Sequence, residues 1–199
     1  HSFPTRRSSD LILVTNPGNP TGVVLSPEEM RLMADIAKEH GLFLISDEVY
    51  REFVYGGEPL ASMAQFDDAA ENVVVVDSIS KRFSACGARV GILVSRNREL
   101  MAQALKICQG RLCAATLDQL GAAALYGVGS DYFSAVREEY HRRRDTCMEG
   151  LSQIPGVVCE CPKGAFYLMA KLPVDDTDKF QTWLLEEFQD KRQIGRAHV

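Results

Sequence analysis

Three observations predict an α/β fold built on a mostly parallel sheet. Short apolar runs of strand length recur at Leu11–Thr15, Leu42–Ser46 and Val73–Val76. A stretch of about fifteen residues at helical spacing separates the first two, giving a strand–helix–strand unit with parallel neighbours and helices on the sheet faces. Each run feeds directly into a loop bearing polar groups, at 16–22, 47–50 and 78–81. Ligands of open parallel sheets bind beyond the carboxyl ends of the strands, so the three loops converge where a site belongs. The full expectation is a three-layer α/β/α arrangement, followed by the start of a smaller α+β unit.

The elements follow in order. Leu11–Thr15 reads as a buried strand that runs into Asn16-Pro17-Gly18-Asn19-Pro20-Thr21-Gly22, a cluster of turn formers. A helix start is written in Ser26-Pro27-Glu28-Glu29: Ser26 caps, Pro27 suits the first helical position, and Glu29 completes a capping box. Met30, Met33, Ala34 and Ala37 repeat at helical spacing up to His40, and Gly41 supplies the stop. Leu42–Ser46 is the second buried strand and Val73–Val76 the third, ending at Asp77; Ala88–Ser95 reads as another. Helices are expected over about 97–109, 116–127 and 131–150. Beyond Pro155-Gly156 the pattern changes. Val157–Glu160 and Ala165–Lys171 read as short strands flanking Cys161-Pro162-Lys163-Gly164, and Asp178–Lys191 as an amphipathic helix. That change places a domain boundary near residue 150.

Composition narrows the functional class. Of 199 residues 46% are hydrophobic, enough for a substantial core in one or two domains. The net charge of −5 argues against a nucleic-acid surface. The longest apolar runs, such as Val73–Val76 and Gly91–Val94, are too short to span a bilayer. The six cysteines match neither Cys-x-x-Cys pairs nor zinc spacings, so they read as reduced thiols of a cytoplasmic protein without a metal.

The two ends differ from the rest. Residues 1–10 are polar and unpatterned and switch abruptly into Leu11–Val14. Ile194–Val199 back-translates into a sequence resembling one arm of a widely used short-read sequencing adapter, and residues 1–10 resemble the other arm. The expectation is that both ends are non-native and that the native sequence covers about 11–193, an internal part of a longer protein.

Four elements stand in fixed order: the loop containing Asn19, the stretch Asp47-Glu48-Val49-Tyr50, the run Ser78-Ile79-Ser80-Lys81, and Arg89 eight residues after Lys81. Together they supply an amine for imine formation, a carboxylate for a pyridine nitrogen, amide and phenol donors for a ring oxygen, and hydroxyls with a cation for a phosphate. Singly, each has a plainer reading. Lys81 could be a surface lysine, Asp47 a cap after a strand, Asn19 a turn residue, and Arg89 half of a surface ion pair. Glu48 reads as structural.

With NPGNPTG, SDEVY, SISK and GARVG in this order, the chain resembles fold type I pyridoxal-phosphate enzymes, most closely class I/II aminotransferases of the aspartate aminotransferase kind. The resemblance covers essentially all of 11–193. It implies that Lys81 binds pyridoxal 5′-phosphate and acts as general base and acid. It further implies that Asp47 pairs with the pyridine nitrogen, that Tyr50 and Asn19 bond the ring oxygen, and that Ser78, Ser80 and Arg89 anchor the phosphate. Gly164 and Phe166 either line the mouth of the site or form a simple hairpin core. The implied units are a cofactor-binding large domain at 11–150 and the beginning of a small domain at 151–193. The implied reaction moves an amino group between an L-amino acid and a 2-oxo acid, with aspartate-like or broad specificity, in a cytoplasmic homodimer. The family's upstream phosphate loop and its arginine for the substrate carboxylate fall outside the fragment, so the fragment alone is expected to be inactive. Rival readings are a carbon–sulfur lyase or decarboxylase of the same fold, and an effector-sensing module of a transcription regulator.

Overall fold

The computed structural model describes residues 10–56 and 61–188; the end segments and the far end of the helix expected to reach Lys191 lie outside them. Strand β1 (Leu11–Thr15) leads into α1 (Pro27–His40) and β2 (Phe43–Asp47). After two short 3-10 turns come β3 (Val73–Ser78), the four-residue helix α2 (Ile79–Arg82) and β4 (Gly91–Ser95). The helices α3 (Arg98–Arg111), α4 (Thr116–Leu125) and α5 (Ser130–Ser152) follow. A two-stranded sheet of β5 (Val158–Cys159) and β6 (Ala170–Lys171) and helix α6 (Thr177–Glu186) complete the described chain.

The main sheet runs β1-β2-β3-β4, with the first two pairings parallel and β3–β4 antiparallel. Its mostly parallel character follows from α1, which returns the chain to the same edge. The end signals of α1 act as read. Ser26 Oγ accepts from Glu29 N while Glu29 Oε2 accepts from Ser26 N, and Gly41 closes the helix in the left-handed region at φ 62°. Met30, Ala34 and Ala37 pack onto Leu44, Val73 and Val75, which share the α1 side of the sheet, and onto Met63 of the first 3-10 turn.

Strand β1 is not buried on both faces. Ile12 and Val14 pack toward α1, whereas Leu11 and Leu13 point away and are exposed, Leu13 to 66%. The exposed face continues onto β2, where Phe43, beside Leu11, is exposed as well, so α1 covers the opposite face of both strands.

Two other strands are shorter than their apolar runs. The stretch expected at Ala88–Ser95 pairs only from Gly91, because Cys86–Ala88 form a 3-10 turn and Arg89 sits in the left-handed region at φ 56°. Ala165–Lys171 pairs with β5 only at 170–171. Ala165 is itself left-handed at φ 56°, and the backbone before it joins Phe53–Tyr55 instead: Val54 bridges Gly164, Tyr55 N donates to Lys163 O, and Ala165 N donates to Phe53 O. Helix α5 runs unbroken through residue 150 to Ser152. All six cysteines are free thiols, and the described residues hold no cluster of His, Cys, Asp or Glu fit for a metal. No described helix is long and apolar enough to cross a membrane.

Candidate active site

Register brings the three motif loops to one edge. Asp47 pairs with Thr15 on one side and Val76 on the other, so the ends of β1, β2 and β3 lie side by side. Asn16 N donates to Asp47 O at 2.9 Å and Glu48 N to Val76 O at 2.9 Å, carrying the alignment one residue past the strands. Lys81 follows on α2, whose first turn is capped by Ser78 Oγ accepting from Ser80 N. Ser78 pairs with Gly91, and Ile79 N donates to Val90 O, which holds Arg89 beside the start of α2.

Asp47 has both of its possible roles within reach. Its Oδ1 accepts from Val49 N at 3.1 Å, the capping role, and its other oxygen has no hydrogen bond among the described residues. Glu48 is structural, as read: its buried carboxylate accepts from Ser46 Oγ, Ser62 Oγ and Met63 N. Asp47, by contrast, is half-buried and keeps one carboxylate oxygen without a partner among the described residues. Asn16, not Asn19, is the fully buried amide of the first loop, with Oδ1 accepting from Leu25 N. Asn19 is exposed, and its side chain makes no hydrogen bond among the described residues.

Tyr50 and Lys81 meet across Phe166. The Tyr50 ring lies edge-on to Phe166 at 5.0 Å, and Lys81 Nζ lies 5.8 Å from the centre of the same ring. Tyr50 is buried, and burial, reinforced by its hydrogen bond to Tyr167, raises its phenol above the usual range. Arg89 is exposed and donates through Nη1 to Cys86 O at 3.0 Å. The structure therefore unites Asp47, Tyr50, Ser78, Ser80 and Lys81 at one sheet edge, keeps Arg89 on the adjoining turn, and leaves Asn19 at the rim.

The segment 162–167 packs against the first loop and the turn after β2. Lys163 N and Gly164 N both donate to Gly22 O at 2.9 Å. A Cβ on Gly164 would stand 2.7 Å from Val24 Cγ2 and 2.8 Å from Pro17 Cβ, so only glycine allows this approach. A cavity of about 140 Å³, open to solvent, lies against the same segment, lined by Tyr55, Tyr140, Arg144 and Phe166; Lys81 and Asp47 do not line it.

Two features escaped the sequence. Arg82 pairs with the Asp77 carboxylate and lies 3.7 Å from Glu52, tying α2 to β3 and to the turn after β2. Burial raises the Asp77 carboxyl, against the opposing pull of Arg82. The second is Tyr167, whose hydroxyl meets that of Tyr50. The neighbouring Gly164-Ala165-Phe166 marked the segment, but no spacing rule links residues 50 and 167.

A lysine, a carboxylate and a phenol stand together at the carboxyl edge of a mostly parallel sheet, with hydroxyls on the adjoining turn, in an α/β fold. The chain belongs to the family Aminotransferase class I and II, which it matches over residues 3–189. It is 32% identical over 184 residues to an aspartate aminotransferase of Bacillus subtilis, covering 88% of this chain and 47% of that protein. It is 37% identical over 160 residues to a probable aspartate/prephenate aminotransferase of Aquifex aeolicus, covering 79% and 41%. The solved structure of a Thermus thermophilus aspartate aminotransferase mutant complexed with tryptophan superposes with a TM-score of 0.81 at 30% identity, over 89% of this chain and 47% of that one. The chain spans less than half the length of these relatives.

Proposed function

We propose that this chain carries the cofactor-binding part of a pyridoxal-phosphate aminotransferase. The whole protein would move an amino group between an L-amino acid and a 2-oxo acid, with aspartate-like or broad specificity, as a cytoplasmic homodimer. Residues 11–150 are then the large domain and 151–193 the beginning of the small one. The observation that carries this reading is the meeting of Lys81 and Tyr50 across Phe166, at the strand end that bears Asp47.

The residues present fit the cofactor chemically. Asp47 offers a carboxylate oxygen without a partner among the described residues to hold the proton of a ring nitrogen. Ser78 Oγ accepts from Ser80 N and keeps its own proton to donate to phosphate. Ser80 adds a second hydroxyl, and Arg89 adds a guanidinium suited to a dianion. Asn19 stands on the loop nearest Asp47 and would share the ring oxygen with Tyr50. When bound, pyridoxal phosphate supplies an electron sink for the bonds of the substrate α-carbon. Lys81 would take and return the proton at that carbon. The aromatic side chains of Tyr50, Phe53, Phe166 and Tyr167 exclude water from one side.

Incubation with pyridoxal phosphate, borohydride reduction and peptide mapping test the reading. Label at Lys81, lost in Lys81→Ala, is expected; label scattered over many lysines overturns it. For the whole protein, an amino acid with 2-oxoglutarate should yield glutamate. Pyruvate and ammonia without amino transfer would move the assignment to a carbon–sulfur lyase.

A further inference from the structure

The Tyr50 hydroxyl has a partner that the chemistry above does not use. The phenol oxygens of Tyr50 and Tyr167 lie 2.5 Å apart, a short O–H···O contact between residues separated by 117 positions. The contact is built from both sides. Tyr50 is wedged edge-on against Phe53, Phe166 and Tyr167. Tyr167 is aimed by the backbone before it: Ala165 N donates to Phe53 O, and Tyr55 Oη donates to Ala165 O. Packing and main-chain bonds therefore bring the two hydroxyls together, rather than one flexible side chain finding another.

Each phenol has one proton to give and lone pairs to accept. If Tyr50 gives its proton to Tyr167, none remains for a ring oxygen. If Tyr167 is the donor, Tyr50 keeps its proton and donates it more strongly, because an accepted hydrogen bond polarises the O–H. Only the second arrangement lets Tyr50 serve a cofactor beside Lys81.

We propose that Tyr167 is a positioning residue acting through Tyr50: it donates its phenolic proton to the Tyr50 oxygen and so aims and strengthens the Tyr50 O–H toward the ring oxygen of pyridoxal phosphate bound at Lys81. This rests on the cofactor reading above. A stronger donor stabilises negative charge on the ring oxygen and loosens that oxygen's hold on the proton of the Lys81 adduct. The segment 162–168 thereby sets the acidity of a group more than eighty positions away in sequence.

Tyr167→Phe keeps the ring and removes only the hydroxyl. The test is the pH midpoint of the adduct's absorbance in the wild type, Tyr167→Phe, Tyr50→Phe and the double variant. Tyr167→Phe should raise the midpoint by about half to one unit, the size of one hydrogen bond. Tyr50→Phe should raise it further, and the double variant should match Tyr50→Phe alone, because Tyr167 then has nothing to act through. An unmoved midpoint in Tyr167→Phe overturns the proposal, and so does an additive shift in the double variant. A purely structural role would lower the melting temperature of Tyr167→Phe without moving the midpoint, which also overturns it. Borohydride mapping separates the two levels. No label at Lys81 in the wild type removes the cofactor reading and this proposal together, whereas label with an unmoved midpoint removes this proposal alone.

Discussion

The stretch from Leu11 to Val75 and the helices from Arg98 to Leu125 are both rich in apolar residues, and they bury them very differently. In the first, Met30, Ala34, Ala37, Leu44 and Met63 are almost completely shielded. In the second, α3 has no buried residue, and Leu112 and Leu117 are each more than 80% exposed. The lesson concerns what periodicity records. An apolar stripe shows that a face needs a partner, and connectivity decides whether the partner is at hand. α1 joins two strands of the sheet it covers, so its stripe can hardly miss. α3 follows the edge strand β4, and α4 follows α3.

The largest expected effect tests the buried side. Leu44→Ala should lose about 2–5 kcal/mol in chemical denaturation; a loss under 1 kcal/mol would erase the contrast. Glu48→Ala comes next, at about 2–3 kcal/mol, since it strands three donors that the carboxylate now satisfies. Ser26→Ala should cost about 1 kcal/mol through the lost cap, read as a lower melting temperature. Leu117→Ala, on the exposed side, should stay within about 0.5 kcal/mol of the wild type. A loss like that of Leu44→Ala would mean that α4 has a partner in solution.

The smallest effect concerns pH. Hydrogen bonds from Arg31 and Lys38 hold the exposed Asp68 carboxyl down at about 2. A carboxyl lowered in the folded state adds stability above its unfolded value, near 3.8, and loses it as pH falls through about 2. Asp68→Asn should flatten that part of the acid limb, and added salt should shrink the difference.

Much of the fold was legible because its signals are local. The Ser26 cap, the Gly41 stop and the five residues of β1 all depend on neighbours in sequence. The grouping of the candidate residues was legible for a related reason: Asp47, Tyr50, Ser78, Ser80 and Lys81 sit at or just past strand ends, where topology alone gathers them. What escaped depends on distant partners. Ala165–Lys171 reads as a strand, yet Ala165 bonds Phe53 and Tyr55, which only the folded chain brings near. The burial of Asn16 beside the exposed Asn19 was not written in the loop either, because it depends on Leu25 N reaching the Asn16 side chain.

The antiparallel return of β4 has one more consequence. Ser78 pairs with Gly91 and Ile79 N reaches Val90 O, so the stretch from 79 to 90 is a clasp fastened at both feet on the same rung of the sheet. Lys81 and Arg89 hang from opposite sides of that clasp, and the residues between them serve as a ruler. Inserting or deleting one residue there would shift the amine and the guanidinium against each other while leaving every strand intact. The span between those two cations is therefore metered by loop length, independently of how well the rest of the protein packs.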